Sequence, residues 1–509
     1  MARLTLIDHL TKPNLYPVGI ISETKRVTSI STHISLERPE GLFSSPISSR
    51  TLAQLIVSRS ARLGSTSCFF FSFKDEKDYS IAVSLINDVD LVRVADKSMA
   101  EQPADIKHNA THAEKSFTAT GDKLAYHWPV FHKLAETGYG SIIRASIAPY
   151  QRCSSSCSFC STANRNVNDT VPLEDAKRFV DALFFEQAEF NKTTFPGYNE
   201  SYKQITGDDI RLKSLILTGG GQPNLWPFFE DFVKYVHSLG IELGLITNGF
   251  PKTISDDVYS CFSWIRISIT PSEASPHYIN GLFEDQFLPS CFETYDFLQK
   301  TTIGLSYVMG PWTRKEDIYR LHRYVEGKDF HYCRLLTDCN LPRDMQIQEH
   351  DRLRHIINEI EDNSAAKGQK TRLFHQFKYH ASNDEVKDTF ANGQCLLQSY
   401  GVFWDSTGHS QGKQSYCYPC DSVTVLASND TGVVLDSARK FQPSIYGTVK
   451  WSDVSSLFTK PLRRYFDPRE ACGGCLFFRN NQEVSRLLGS TFPLEIEPTQ
   501  QRTVHVNFP

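Results

Sequence analysis

The sequence predicts an α/β protein in which short apolar strands alternate with amphipathic helices. From residue 142 onwards, six apolar segments have the length and composition of strands, and segments with helical spacing separate them. The six segments are residues 142–148, 215–218, 243–247, 264–269, 303–308 and 330–336. Polar and glycine-rich motifs follow several of them directly. Such alternation is typical of parallel βαβ units, and by itself it fits both a partial (β/α)6 barrel and a doubly wound sheet.

The helices between these strands are predicted from their caps and apolar faces. Asp169 and Thr170 can cap the first helix, with Pro172 in its first turn. Its apolar face comprises Ala176, Val180, Leu183 and Phe184. The next helix covers residues 227–239 and ends at Gly240. Two later helices are predicted around Phe292, Tyr295 and Leu298, and around Ile318, Leu321 and Val325. The polar residues 191–213 are expected to form an inserted loop.

Composition describes an ordinary globular chain of two or three domains. The 509 residues are 40% hydrophobic and 22% charged, and the net charge of −4 gives no general attraction to nucleic acid. No apolar run is long enough to span a membrane, and the first residues lack the features of a signal peptide. Thirteen cysteines, an odd number in a long chain, favour metal-bound thiolates over disulfides. We therefore expect a cytoplasmic protein with no membrane partner.

Five regions are predicted along the chain. The first is a small α/β accessory domain with a strand at 26–36, a helix at 49–63 and a strand pair at 68–73 and 79–86. It carries no metal or nucleotide motif, so its role is left open between substrate docking and structural cover. The predicted regions are the accessory domain 1–120, the barrel 121–345, a helical connector 346–393, a cysteine-rich domain 394–480 and a tail 481–509.

Three cysteines with CxxxCxxC spacing follow the first predicted strand of the barrel. They are Cys153, Cys157 and Cys160. Thiolates hold [4Fe–4S] clusters, and three thiolates on four irons leave one iron open to another ligand. The alternatives are three buried cysteines that are close by chance, or part of a zinc site.

A glycine run follows the second predicted strand, and polar residues end the next two. The run is Gly219, Gly220 and Gly221 followed by Gln222. Glycine allows the backbone to approach a ligand closely. Asn248 follows the third strand, and Ser268 lies near the end of the fourth. Because sites in β/α barrels gather at these strand ends, all of these residues are candidates for one site.

These motifs together resemble those of the radical S-adenosylmethionine (radical SAM) superfamily. The resemblance depends on the cysteine spacing, on Phe159 before the last cysteine, and on the glycine run one βα unit later. It implies a partial (β/α)6 barrel and a catalytic cluster on Cys153, Cys157 and Cys160, whose open iron is chelated by the amino and carboxylate groups of SAM. It also implies reductive cleavage of SAM to a 5′-deoxyadenosyl radical, with flavodoxin or ferredoxin as the electron donor.

The resemblance also assigns roles to the residues at the strand ends. The Gly219–Gly221 run and Gln222 would contact the SAM amino group, although Gln222 stands where Glu is usual. The backbone of Phe159 would lie against adenine, Asn248 would lie beside the cofactor, and Ser268 would bond the ribose or carboxylate. The alternative for Ser268 is an ordinary hydroxyl in a strand, with no contact to a cofactor. Two arginines that alternate with apolar residues, Arg266 and Arg334, need a partner: SAM, a substrate acid or a structural carboxylate.

Five cysteines lie late in the chain, at Cys395, Cys417, Cys420, Cys472 and Cys475. Two CxxC pairs are also typical of a four-cysteine zinc site. Their order resembles the twitch or SPASM extension of radical SAM enzymes, which implies one auxiliary [4Fe–4S] cluster on Cys395, Cys420, Cys472 and Cys475, with Cys417 spare or substituting. The remaining cysteines are predicted to be small core residues: Cys68, Cys261, Cys291, Cys333 and Cys339.

The predicted function is hydrogen-atom abstraction by a radical SAM enzyme. Its substrate is expected to be a peptide, a small metabolite or a modified nucleotide. One alternative is a modifying enzyme of phage-type thymine hypermodification in DNA. The other is a non-enzymatic iron–sulfur or zinc protein that binds SAM without turnover.

Overall fold

The computed structural model describes part of the chain, in two compact units, Met1–Asn109 and Ala110–Pro509. The described residues are 3–7, 18–21, 27–31, 90–94, 117, 120–163, 165–249, 255–269, 301–327, 330–369, 372–375, 382–390, 393–407, 409, 415–418, 449–462, 468–471, 475–489 and 504–509. The five predicted domain bounds stay predictions.

The first unit contains four described strands. They are β1 Arg3–Ile7, β2 Val18–Ile21, β3 Val27–Ser31 and β4 Asp90–Val94. β1 pairs with β4 in parallel, and β2 pairs with β3 antiparallel. β3 lies inside the strand predicted for 26–36, whereas the predicted helix 49–63 and strand pair 68–73 and 79–86 lie outside the described residues.

Ten described strands of the second unit form one sheet. They are β5 Arg144–Ala148, β6 Ser214–Leu217, β7 Glu242–Thr247, β8 Phe262–Ile269, β9 Thr302–Met309, β10 Tyr332–Thr337, β11 Leu373–His375, β12 Gly401–Asp405, β13 Tyr416–Tyr418 and β14 Val449–Lys450. The six predicted strands correspond to β5 to β10. They consist largely of apolar residues because both faces of a parallel sheet are covered.

The strand order decides between the two architectures that the sequence left open. β5 to β11 follow one another across the sheet in chain order, and each pairs in parallel with the next. A doubly wound sheet reverses its order at a switch point, with helices on both faces. Because crossovers between parallel strands are right-handed, an unreversed order puts the helices on one side and curls the sheet. The predicted partial barrel is therefore confirmed.

β12 extends this sheet beyond its first strand. It pairs in parallel with β5, from Gly401 beside Arg144 to Asp405 beside Ala148. β13 and β14 then add antiparallel strands at the edge. The consequence is that β12 ends next to the loop that follows β5.

The described helices have the following bounds. They are Thr120–Tyr126, Trp128–Thr137, Leu173–Asp181, Gln187–Thr194, Pro196–Thr206, Phe229–Ser238, Asp256–Tyr259, Lys315–Gly327, Arg343–Ala366, Asn383–Thr389, Ser456–Thr459, Pro468–Ala471 and Phe478–Leu488. A π turn, Ala182–Glu186, joins the third and fourth of these helices. The helix predicted around Phe292 lies outside the described residues. No described helix is long and apolar enough to cross a membrane.

The predicted inserted loop at 191–213 is wrong, because most of it is helical. Pro196 occupies the first turn of the helix Pro196–Thr206, where its missing N–H costs nothing, and Gly207 ends the helix with φ of 78°. Fully buried Tyr202 anchors this polar helix, and its hydroxyl lies 2.8 Å from His127 Nδ1. Pro196 therefore marks the start of a helix and Gly207 its end, rather than a loop.

The chain's last residues cross the N-terminal ends of the barrel strands. The Asn507 side-chain amide donates to Glu242 Oε1 at 2.7 Å, and the Asn507 backbone carbonyl accepts a hydrogen bond from the Ser214 hydroxyl. Arg144 Nη1 donates to the Pro509 carbonyl at 2.6 Å. Arg144, Ser214 and Glu242 are the first residues of β5, β6 and β7. Residues 504–509 thus cover the end of the barrel opposite the candidate site.

Candidate functional site

One cavity of about 410 Å³ lies at the C-terminal ends of the barrel strands. All three cysteines of the first motif line it: Cys153, Cys157 and Cys160. The predicted cofactor-binding residues line it too: Phe159, Gly219, Gly220, Gly221, Gln222, Asn248 and Ser268. The fold thus gathers around one space residues that are far apart in the chain. Their roles toward a cluster or SAM stay predictions.

The cysteine loop begins at Gln151, a buried residue whose side chain and backbone hydrogen-bond to two other segments of the chain. Its side-chain amide donates to Asp405 Oδ1 at 2.8 Å and to Ser406 Oγ at 2.9 Å, at the end of β12. Its backbone N–H donates to the Asp169 carbonyl at 3.1 Å. Burial raises the pKa of Asp405 to about 6, against three hydrogen bonds that favour its ionised form. β12 therefore fixes the start of the loop.

The glycine run packs against the cysteine loop at distances that exclude any side chain. A Cβ atom on Gly221 would lie 2.3 Å from the Arg152 carbonyl oxygen, and one on Gly220 would lie 1.8 Å from Gln151 Oε1. A Cβ atom on Gly219 would lie 1.8 Å from the Gly221 carbonyl oxygen. Backbone N–H groups of Gly221 and Gln222 donate to the carbonyls of Tyr150 and Arg152. The glycines are thus required by the packing of the turn on the loop.

A polar network with a buried centre at Gln222, Asn224 and Thr247 ties the next strand ends to the same loop. Gln222, only 2% exposed, accepts a 2.8 Å hydrogen bond from the Ser154 hydroxyl and donates to Asn224 Oδ1 at 3.0 Å. Asn224 Oδ1 also accepts a 2.6 Å bond from the Thr247 hydroxyl. Asn248 Nδ2 donates to Ser154 Oγ at 2.9 Å and to Ser155 Oγ at 3.0 Å. The ends of β6 and β7 therefore hold Ser154 and Ser155, two of the three serines between the first two cysteines.

Hydrogen-bond donors point at the sulfurs of Cys153 and Cys160. The Ser155 backbone N–H lies 3.4 Å from Cys153 Sγ, and Arg165 Nη1 lies 3.3 Å from Cys160 Sγ. Burial raises the pKa of Cys153, and the hydrogen bond from Ser155 and the charge of Arg165 oppose this. Donors of this kind stabilise sulfur in its anionic, metal-bound form. The donor set therefore fits a thiolate-bound cluster.

Among the described residues, no three His, Cys, Asp or Glu side chains converge on a point that could hold one metal ion. A mononuclear zinc site needs such convergence, because its ligands surround one ion tetrahedrally. The thiolates of a four-iron cluster bind different irons instead.

The far wall of the cavity comes from the end of β10, which sequence reasoning missed. Thr337 and Asp338 line the cavity there, and burial raises the pKa of Asp338 to about 6. Asn340 Nδ2 donates to the Phe159 carbonyl at 2.8 Å and so joins this wall to the cysteine loop. No local motif marks these residues; their position after a predicted strand was the available signal.

Arg266 also lines the cavity, as its alternation with apolar residues suggested. Its guanidinium lies 5.6 Å from the centre of the Trp264 ring. Arg266 and Arg334 both lower the pKa of the buried Tyr332 hydroxyl, although burial outweighs them and the net shift is upward. The two arginines therefore act on the same part of the barrel interior.

The late cysteines lie in two different places. Cys395 belongs to a small apolar cluster with Tyr400 and Phe478, and Cys475 packs against the same cluster. Cys417 is 1% exposed in the main core, where it lies beside Trp404 across β12 and β13. Cys420 and Cys472 lie outside the described residues.

The other cysteines match their predicted core role only in part. Cys333 is fully buried in the main core, which confirms the prediction. Cys339 is half-buried and lines the cavity, because it lies just beyond the end of β10, so the core prediction is wrong there. Cys261 is also half-buried, at the edge of the core. Cys68 and Cys291 lie outside the described residues.

No protein-family model and no curated protein matches the chain. Solved structures similar to it include Streptococcus suis SuiB bound to the precursor peptide SuiA, at 13% identity and a TM-score of 0.44, over 67% of this chain and 72% of that one. BtrN in complex with AdoMet and 2-DOIA is 10% identical, with a TM-score of 0.28, over 67% and 91%. Methylornithine synthase (PylB) is 13% identical, with a TM-score of 0.26, over 45% and 62%. At these identities the likeness concerns the fold alone.

Proposed function

We propose that this chain is a radical SAM enzyme whose site is the cavity at the C-terminal ends of β5 to β10. The observation that carries the proposal is that the three motif cysteines and the glycine run line one space with Asn248 and Ser268. These residues come from four different strand ends. Core packing alone does not require polar and thiol groups from four elements to face one cavity.

In this proposal Cys153, Cys157 and Cys160 hold a [4Fe–4S] cluster, and the strand ends hold SAM. When bound, the cluster would supply one electron for the cleavage of SAM to methionine and a 5′-deoxyadenosyl radical, which would abstract a hydrogen atom from the substrate. The protein itself positions SAM and the substrate and excludes water from the cavity. The backbone of the glycine run and the Ser268 hydroxyl orient SAM, and the Phe159 backbone supports adenine.

We propose further that Cys395, Cys420, Cys472 and Cys475 hold an auxiliary [4Fe–4S] cluster, with Cys417 left in the core. Support comes from Cys395 and Cys475, which pack on one apolar cluster. Leu476 and Phe477, directly after Cys475, line the main cavity. A cluster there would lie close enough to accept or relay an electron, or to anchor a substrate.

The substrate class proposed is a peptide, a small metabolite or a modified nucleotide, with flavodoxin or ferredoxin as reductant. The cavity wall offers two cationic side chains, Arg165 and Arg266, and one acidic side chain, Asp338, together with apolar residues. A substrate with both a polar and an apolar part matches this lining.

The test is anaerobic incubation of the reconstituted chain with dithionite and SAM, followed by chromatography for 5′-deoxyadenosine. We expect production by the unaltered chain and none by the variant with Cys153, Cys157 and Cys160 all replaced by Ala. A Cys333→Ala variant is the matched control, since that cysteine is buried in the core. Absence of 5′-deoxyadenosine from cluster-loaded protein would favour the non-enzymatic SAM-binding alternative.

A further inference from the structure

We propose that Arg165 sets the reduction potential of the cluster by donating a hydrogen bond from its guanidinium to the Cys160 sulfur. The inference rests on the proposed function, in which Cys160 is a cluster ligand. Arg165 lines the same cavity as the three cysteines. It lies outside the CxxxCxxC motif and matches none of the features that predicted the site.

Three hydrogen bonds fix the Arg165 guanidinium in the loop. Nε donates to the Gln151 carbonyl at 2.6 Å, and Nη1 donates to the Thr162 carbonyl at 2.8 Å. Nη1 also lies 3.3 Å from Cys160 Sγ. The two carbonyls belong to the start and the end of the cysteine loop. Because the guanidinium is planar and rigid, the two backbone bonds leave little freedom in the third contact.

A fixed cation beside a ligand sulfur favours the reduced cluster. Reduction adds one negative charge, and hydrogen bonds to the sulfurs and local net charge are among the factors that set cluster potentials. A positive charge interacts more favourably with the more negative state. Arg165 is therefore expected to raise the potential and to make the electron transfer that precedes SAM cleavage easier.

The contact of Arg165 with Cys160 differs in kind from the contact of the Ser155 backbone with Cys153. Cys153 Sγ accepts from the Ser155 backbone N–H, a neutral donor that a side-chain substitution leaves in place. Cys160 Sγ accepts from the charged Arg165 side chain at 3.3 Å, and the neutral Thr162 hydroxyl lies 3.6 Å from the same sulfur. A substitution of Arg165 therefore changes both the charge and the hydrogen bonding at a sulfur, whereas a substitution of Ser155 leaves its backbone donor in place.

The experiment compares midpoint potentials of the anaerobically reconstituted full chain, measured without SAM by dithionite titration with EPR detection. The variants are Arg165→Met, Arg165→Gln and Arg165→Lys. The matched control is Arg152→Met, which removes the same charge from an exposed position in the same loop. We expect Arg165→Met and Arg165→Gln to reduce the equilibrium constant for reduction of the cluster at least tenfold. For a one-electron reduction this makes the midpoint potential about 59 mV more negative. Arg165→Lys should change this equilibrium constant less than the other two Arg165 variants do. Arg152→Met should change it less than threefold.

Equal potentials in the unaltered chain and the Arg165 variants would overturn the inference, and so would an equal shift in Arg152→Met. If Arg165→Met does not retain iron, Arg165→Gln and Arg165→Lys decide. Loss of iron from all three, with Arg152→Met loaded, would replace the tuning role by a structural one. An unaltered chain that binds no cluster would instead count against the proposed function.

Discussion

The Gln222 side chain accepts a 2.8 Å hydrogen bond from the Ser154 hydroxyl, and this joins the end of the glycine run to the middle of the cysteine loop. Gln222 is buried, and its amide nitrogen donates to Asn224 Oδ1. The side chain that stands where Glu is usual thus has a local role that uses both its acceptor and its donor. A carboxylate has the acceptor but lacks the donor.

We predict that Gln222→Glu lowers the free energy of unfolding by about 1–3 kcal/mol, because a buried carboxylate oxygen would face Asn224 Oδ1 without a proton between them. Urea unfolding followed by circular dichroism measures this. Gln222→Met is the control, since it removes both bonds without adding a charge, and we expect a smaller loss. Equal stability of Gln222→Glu and the unaltered chain would show that the network rearranges freely.

Gly221→Ala should displace the cysteine loop, because the new Cβ atom would lie 2.3 Å from the Arg152 carbonyl oxygen. We expect a loss of thermal stability and of iron retention after reconstitution. Gly197→Ala is the matched control: nothing lies within 4 Å of its added Cβ, and it occupies a helix. There alanine should stabilise the chain by about 0.5–1 kcal/mol. Full iron retention in Gly221→Ala would contradict the steric account.

The contacts of Asn507 predict a stability role for the end of the chain. Asn507→Ala removes the 2.7 Å bond to Glu242, a carboxyl group whose pKa burial raises. We expect a loss of about 1–3 kcal/mol, because a half-buried acceptor at the start of β7 loses its donor. Asn168→Ala, at an exposed position, should change stability by less than about 0.5 kcal/mol. Similar losses in both variants would refute the proposed contact.

Asp405 predicts a pH dependence of stability. Burial raises its pKa to about 6 in the folded chain, above the value of about 3.9 expected when unfolded. Between these values the folded chain binds more protons, so this group's contribution to stability is lost as pH rises from about 4 to 6. Asp405→Asn should therefore gain stability relative to the unaltered chain as pH rises, by about 1–3 kcal/mol. A difference that is independent of pH would contradict this.

The late cysteines give a prediction that separates iron–sulfur from zinc binding. With Cys153, Cys157 and Cys160 replaced by Ala, we expect the chain to stay brown and to keep about four irons on the auxiliary site. Adding Cys395→Ser should remove them, whereas adding Cys417→Ser should not, because Cys417 lies in the main core. Iron analysis and absorption spectra measure both. A colourless triple variant with about one zinc would establish the tetrahedral zinc alternative.

Local pattern was enough to predict the barrel strands, because each is a short apolar run next to a helix of period 3.6. It was also enough to select the cysteines and glycines, since few residue types suit those chemical and steric demands. The pairing of β12 with β5 could not be predicted, because it joins residues more than 250 positions apart and depends on tertiary packing. The contact of Arg165 with Cys160 was missed for a related reason. A single arginine carries no periodic signal, and only loop geometry places it at the sulfur.

The central claim, that the cysteine cluster and SAM share one cavity, is tested most directly by EPR of the reduced, reconstituted chain with and without SAM. Because SAM would bind the open iron, the account predicts that saturating SAM changes the g-values of the cluster held by Cys153, Cys157 and Cys160. The triple Ala variant should show no such change in any remaining signal. A spectrum of the unaltered chain that stays identical at saturating SAM would contradict the claim.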